Sequence, residues 1–178
     1  MKNEIEGIIR TAGEILSRAF RSSQNFSEKE RGHLLSDQDI AVNEFLTTEI
    51  LRTFPGDSVV SEEAPETGEK DGARWIVDPI DGSAYFIFGE PYFSVSVARE
   101  RAGEIVEAHV YNPISNEYYY SSNADGCAYL NTEAIRVSDI GRIEDSLVAF
   151  GFSVNIRAIN RYYADWPETF EKCKKGIA

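Results

Sequence analysis

The sequence predicts an α+β fold, a pair of N-terminal helices packed on a predominantly antiparallel sheet. Three observations carry that expectation. Apolar residues recur at helical spacing in the first third of the chain. From Ser58 onward the apolar period shortens toward two. The later runs are joined by turns too short for the crossovers that parallel pairing needs.

The elements follow in order. Ile5, Ile8, Ile9, Ala12, Ile15, Leu16, Ala19 and Phe20 form one apolar stripe, so residues 4–20 predict an amphipathic helix. Arg21 to His33 is polar and aperiodic, which predicts an exposed loop. Ser36-Asp37-Gln38-Asp39 has the form of a capping box and starts a second helix. Its expected inner face is Ile40, Phe45, Leu46, Ile50 and Leu51, and it ends near Pro55-Gly56. Short strands are expected at Ser58–Ser61, at Arg74–Val77 (stopped by Pro79), at Tyr92–Ala98 and at Ile105–Tyr111. Others are expected at Tyr118–Tyr120, Cys127–Leu130 and Ile135–Val137, with turns at Ala102-Gly103, Asn112-Pro113 and Asp125-Gly126. Leu147–Phe152 reads as a further buried strand, and Ile156–Lys175 as a loop and then a helix. The domain reading is residues 1–151 as helix pair plus sheet, and 152–178 as the start of a second α/β domain, truncated.

Composition narrows the function. Thirty acids against 18 bases leave a net charge of -12. No basic face is available to displace counterions from nucleic acid or to dock on an anionic membrane. Cys127 and Cys173 lie far apart in no metal or redox spacing, as free thiols do in a reducing compartment. The N-terminal residues lack the apolar run of a signal peptide, so the expected location is cytoplasmic. His109 reads as a sheet residue, and Tyr118–Tyr120 as strand packing.

The acids gather in three places: Asp37 at the second helix start, Ser61-Glu62-Glu63 after a β run, and Trp75-Ile-Val-Asp-Pro-Ile-Asp-Gly-Ser83. Pro79 favours a turn that brings Asp78 and Asp81 to one side, and Gly82 allows close approach of a ligand. The other reading of this run is a capped turn, with Asp81 bonding its own backbone. Carboxylates brought this close repel unless a positive charge sits between them, and the stretch contains no Lys or Arg. Oxygen-only donors suit Mg²⁺, Mn²⁺ or Ca²⁺; zinc is disfavoured, since His33 and His109 are isolated.

The Trp75–Ser83 run, preceded by Ser61-Glu-Glu63 and Ser36-Asp37-Gln38, resembles the inositol monophosphatase family. That family belongs to the lithium-sensitive, magnesium-dependent phosphatases, with the fructose-1,6-bisphosphatases and nucleotide-phosphate phosphatases. The likeness runs from the first helix to about Gly151 and includes Cys127–Asn131 with Ile135–Val137, similar to the family's hairpin. It implies the first half of a layered αβαβα fold and two or three Mg²⁺ per site, with Mn²⁺ as the alternative. It implies that Glu62 binds the first metal and orients a water, Asp78 bridges two metals, the Ile80 carbonyl completes the first, and Asp81 binds the second. Ser83, where the family usually has threonine, would help activate the water, and its amide with that of Gly82 would hold phosphate. Glu63 and Asp37 match family acids close to the metals. The implied partner is a small phosphorylated metabolite, and the implied assembly a homodimer.

Two departures stand out. Tyr85 replaces the family's usual asparagine, and the family's later tryptophan-aspartate motif has no counterpart, because Trp166 is followed by Pro167. The chain is therefore read as a fragment. Competing functions are a fructose-1,6-bisphosphatase or nucleotide 3′-phosphatase, and a non-catalytic metal-binding relative. A phosphatase with an aspartyl phospho-enzyme is disfavoured, since its Asp-x-Asp motif is here Asp-x-x-Asp. No Gly-x-Ser-x-Gly elbow surrounds Ser83, which argues against its being a nucleophile.

Overall fold

A computed structural model describes residues 2–22, 25–30 and 33–146. The strand expected at Leu147–Phe152, the helix expected within 156–175 and the domain expected from 152 lie outside the described residues. The chain divides into two compact units, Met1–Lys29 with His33–Ile135, and Glu30–Gly32 with Arg136–Ala178. The described residues of the second unit are Glu30 and Arg136–Ser146, the latter with a 3₁₀ turn over Ile143–Asp145.

The first unit is α+β. Helix α1 (Lys2–Ala19) buries Ile5, Ile8, Ile9, Ala12, Gly13 and Leu16, the stripe its spacing predicts. Gly13 is required by packing, because a Cβ there would collide with the Tyr111 ring and meet Pro113. Two short strands, β1 (Phe26–Glu30) and β2 (His33–Ser36), form a separate ribbon where a loop was expected. Phe26, Ser27 and Glu28 are all exposed, so no alternation of burial marks β1 in the sequence.

Helix α2 (Asp37–Thr53) starts with the reciprocal box: Asp39 N donates to Ser36 Oγ (3.4 Å), and Ser36 N donates to Asp39 Oδ2 (2.8 Å). Its buried face is Asp39, Val42, Asn43, Leu46 and Ile50, while Ile40 is 46% exposed. The helix is thus turned from the expected phase. Val42, Leu46 and Ile50 repeat every four residues on one side, and the two polar residues share that side.

Eight strands make the main sheet. In chain order they are β3 (Ser58–Ser61), β4 (Thr67–Gly68), β5 (Arg74–Asp81), β6 (Ser94–Arg101), β7 (Glu104–Asn112), β8 (Glu117–Ser122), β9 (Cys127–Leu130) and β10 (Glu133–Ile135). Their spatial order is β10-β9-β8-β7-β6-β5-β3-β4, antiparallel except for the parallel pair β3 and β5. Strand β5 runs through Pro79 to Asp81 rather than stopping before it. The register with β6 shifts between Asp78 and Asp81, and at such a bulge proline forfeits no ladder bond.

Trp75, Val77, Val95, Val97, Tyr111 and Tyr118 pack with the inner stripes of both helices in one core. Each fully buried aliphatic side chain contributes roughly 1.5–3 kcal/mol. His109 lies on β7 and is 1% exposed, as a sheet residue.

Candidate active site

The parallel pairing of β3 and β5 brings two acid-bearing strand ends side by side. Ser61 is the register partner of Val77, and Glu62 N donates to Val77 O (3.1 Å). Glu62 therefore leaves β3 beside Asp78. Glu62 and Asp81 are both near enough to repel Asp78. Burial first, then the charges of Glu62 and Asp81, push the Asp78 carboxyl up to about 7. Ile80 N donates to Asp78 Oδ1 (3.2 Å), so the backbone of the bulge is bonded by Asp78. Asp81, at the outer end of β5, is exposed.

Gly82 follows in the left-handed region (φ 95°), as the N-cap of the short helix α3 (Ser83–Ile87). A Cβ at Gly82 would lie 2.7 Å from Tyr92 O, so both the backbone angle and the close approach demand glycine. Ser83 Oγ lies 2.9 Å from Asp39 Oδ1 and 2.8 Å from Ile80 O, and its single proton serves one acceptor at a time. The Ile80 carbonyl thus sits at the centre of the turn, while the Ile80 side chain is buried. Glu63 is half-buried, and its amide donates to Ser61 Oγ (3.2 Å).

Asp37 is the first residue of α2. Its side chain is exposed and accepts from Asn25 Nδ2 (3.0 Å), whereas the acid that reaches Ser83 is Asp39. The cause is the capping box. The third helical residue folds its side chain back over the cap, while the first points outward. Asp39 was legible in the sequence as the capping acid, but its second oxygen is committed to a residue 44 positions away.

The donor set offered here is oxygen throughout: carboxylates of Glu62, Asp78 and Asp81 and the Ile80 carbonyl. Among the described residues, no three acids stand close enough together to enclose an ion. Only acids and a backbone amide accompany burial in setting the ionisation of Asp78. A hard divalent cation fits that chemistry, since it relieves the repulsion and prefers oxygen.

The inositol monophosphatase family profile matches residues 2–164. An inositol-1-monophosphatase of Rhizobium meliloti is 37% identical over 143 residues, which cover 79% of this chain and 53% of that protein. A fructose-1,6-bisphosphatase/inositol-1-monophosphatase of Aquifex aeolicus is 32% identical over 161 residues, 89% of this chain and 61% of that one. The crystal structure of extragenic suppressor protein suhB from Bartonella henselae superposes with a TM-score of 0.91 at 28% identity, covering 99% of this chain and 69% of that one. The chain spans about half the length of the first two curated relatives it matches.

Proposed function

The chain belongs to the inositol monophosphatase family, and on that premise we propose that it carries the metal-binding half of a Mg²⁺-dependent phosphatase of small phosphomonoesters. Glu62, Asp78, Asp81 and the Ile80 carbonyl would hold two or three Mg²⁺, with Mn²⁺ as a substitute. When bound, such cations make a water easier to deprotonate and offset the charge on the phosphoryl oxygens. With the cations in place, Ser83 Oγ, its own proton directed at Asp39, would help orient the water, and Glu62 would serve as the group that takes up a proton. The amides of Gly82 and Ser83 hold phosphate, and Glu63 braces Glu62 from the next position. Asp39 takes the supporting place that the motif reading gave to Asp37.

One observation carries the reading. Carboxylates that repel one another meet at the end of β5, and Ser83 in the turn that follows is bonded to Asp39 of α2. The homologue from Aquifex aeolicus, whose name joins both activities, favours fructose 1,6-bisphosphate as a second substrate. None of the described helices is long and apolar enough to cross a membrane. A cytoplasmic homodimer is the setting that family analogy supports.

The test is phosphate release by the full-length protein from inositol monophosphate, fructose 1,6-bisphosphate and a nucleoside 3′-phosphate, with Mg²⁺ and with chelator. Release that requires Mg²⁺ is expected, and the preferred ester identifies the substrate. Metal binding without release from any of the three would make this a non-catalytic relative; release insensitive to chelator would reject the metal mechanism.

A further inference from the structure

Two tyrosines stand exposed beside the turn of Gly82 and Ser83, and the chemistry proposed above uses neither. Tyr85 is 49% exposed and Tyr92 69%, with ring centroids 6.0 Å apart and ring planes at 77°. The residues that follow them, Phe86 and Phe93, are buried and meet edge to face at 5.0 Å. The chain therefore builds two aromatic pairs, one inside the core and one outside it. Single apolar rings scattered over a surface need no explanation, whereas rings paired there mark a contact site.

Both outer rings rise from held backbone. Glu90 N donates to Tyr85 O (2.8 Å), and Asn112 Nδ2 donates to Pro91 O (2.9 Å). A Cβ at Gly82 would lie 2.7 Å from Tyr92 O, so the Tyr92 backbone abuts Gly82. Ser83 is the first residue of α3 and Tyr85 the third, a rise of only about 3 Å along the axis. Helical side chains lean toward the N-terminus, which here is the Gly82–Ser83 end. A phosphate on those two amides would bring its ester group within reach of the tyrosines.

The pair also selects a shape. Rings set near a right angle leave a face open, where a third flat ring can stack on one and meet the other by its edge. A polyol laid there would give up water from its hydroxyls, and the ring faces return no comparable hydrogen bond.

We infer that Tyr85 and Tyr92 are specificity-determining residues that hold the organic part of phosphomonoesters carrying a flat aromatic ring, such as a phenyl group or a nucleobase. The inference rests on the phosphate site proposed at Gly82 and Ser83. Tyr85 is also where this chain departs from the family's usual asparagine, so the preference belongs to this chain's own residues.

The experiment compares Mg²⁺-dependent release from phenyl phosphate, adenosine 3′-phosphate and glycerol 1-phosphate by the full-length protein, with inorganic phosphate as a competing inhibitor. Wild type is expected to show its lowest KM for the two flat-ringed esters. Tyr85→Ala and Tyr92→Ala should each raise those two KM values about tenfold, the scale of a lost stack. The kcat values, the KM for glycerol 1-phosphate and inhibition by inorganic phosphate should stay within about twofold, since only binding of the ring is lost. Tyr85→Phe and Tyr92→Phe keep the rings and should match wild type. Melting in chelator should be unchanged throughout, as for exposed substitutions. Equal KM changes for all three esters, no change for any, or losses in the Phe variants as large as in the Ala variants would overturn the inference while leaving the phosphatase standing. So would Ala variants whose only change is a smaller assembly in sedimentation, which would assign the pair to contact with a second copy. Release from none of the three esters would overturn both readings.

Discussion

Strand β5 carries polar groups at both ends, and the fold treats the two ends in opposite ways. At its start, Asp57 accepts from Ala73 N (2.8 Å), Trp75 Nε1 (2.9 Å) and Arg99 Nη2 (3.1 Å). Arg99 also lies over the Trp75 ring and within 3.9 Å of Glu107, which in turn is 3.9 Å from His109. His109 Nδ1 meets the Tyr118 hydroxyl at 2.9 Å. Burial drives the Tyr118 pKa upward, so its hydroxyl keeps its proton beside the imidazole. At the other end of β5, half-buried Asp78 feels the charges of Glu62 and of exposed Asp81. Opposite charges brought together in the core hold the structure. Like charges brought together at a strand end destabilise one another instead, and Asp78 answers by holding its proton more tightly.

The contrast can be broken by experiment. Asp57→Ala should have the largest effect on stability, a loss of about 3–5 kcal/mol in urea unfolding, because it removes the buried carboxylate that Ala73 N, Trp75 Nε1 and Arg99 Nη2 share. A loss under about 1 kcal/mol, the range of surface pairs, would erase the distinction between the two ends.

Next is the pH dependence of the buried end. Burial, aided by the Lys2 charge, lowers the His109 pKa to about 4 from its ordinary 6.5, despite Glu107 nearby. The unfolded chain then binds the proton more readily than the folded one. Stability is complete above pH 6.5 and falls as pH drops toward 4, by about 3 kcal/mol in all. Unfolding titrations of His109→Gln should lack this slope; an unchanged slope would assign it elsewhere.

Asp78→Asn sharpens the comparison from the other side. It should cut Mg²⁺-dependent phosphate release about a hundredfold, as loss of a ligand does at least as severely as loss of its support. Melting in chelator should be unchanged or raised, since a repelling charge has gone. A fall in stability like that of Asp57→Ala would mean the two ends are alike.

The smallest effect separates two acids two residues apart. Asp39→Asn should lower turnover about tenfold through Ser83, whereas Asp37→Asn, facing Asn25 at the surface, should leave it within about twofold. The reverse order would return Asp37 to the site.

Much of this architecture was legible before any coordinates. The stripe of α1, the Ser36 cap, the Asp125-Gly126 hairpin and the position of β9 follow from local rules, and the structure keeps them. The acids of the Trp75–Ser83 run were visible because their order along the chain is itself the signal. Other features were hidden for identifiable reasons. Ile40 looked like the start of an inner face, but the register of α2 is set by which side chains the sheet accepts. Pro79 looked like a stop, but a bulge carries the strand past it.

By itself, then, the sequence determined the periodic elements, the turns and the cluster of acids after β3 and within β5, because each depends on neighbours a few residues apart. Only the tertiary structure decided that Asp39 rather than Asp37 meets Ser83 and that Glu62 N bonds Val77 O, which sets Glu62 beside Asp78. Those contacts join residues far apart in the chain, and their geometry is set by packing and strand pairing, which no local pattern encodes.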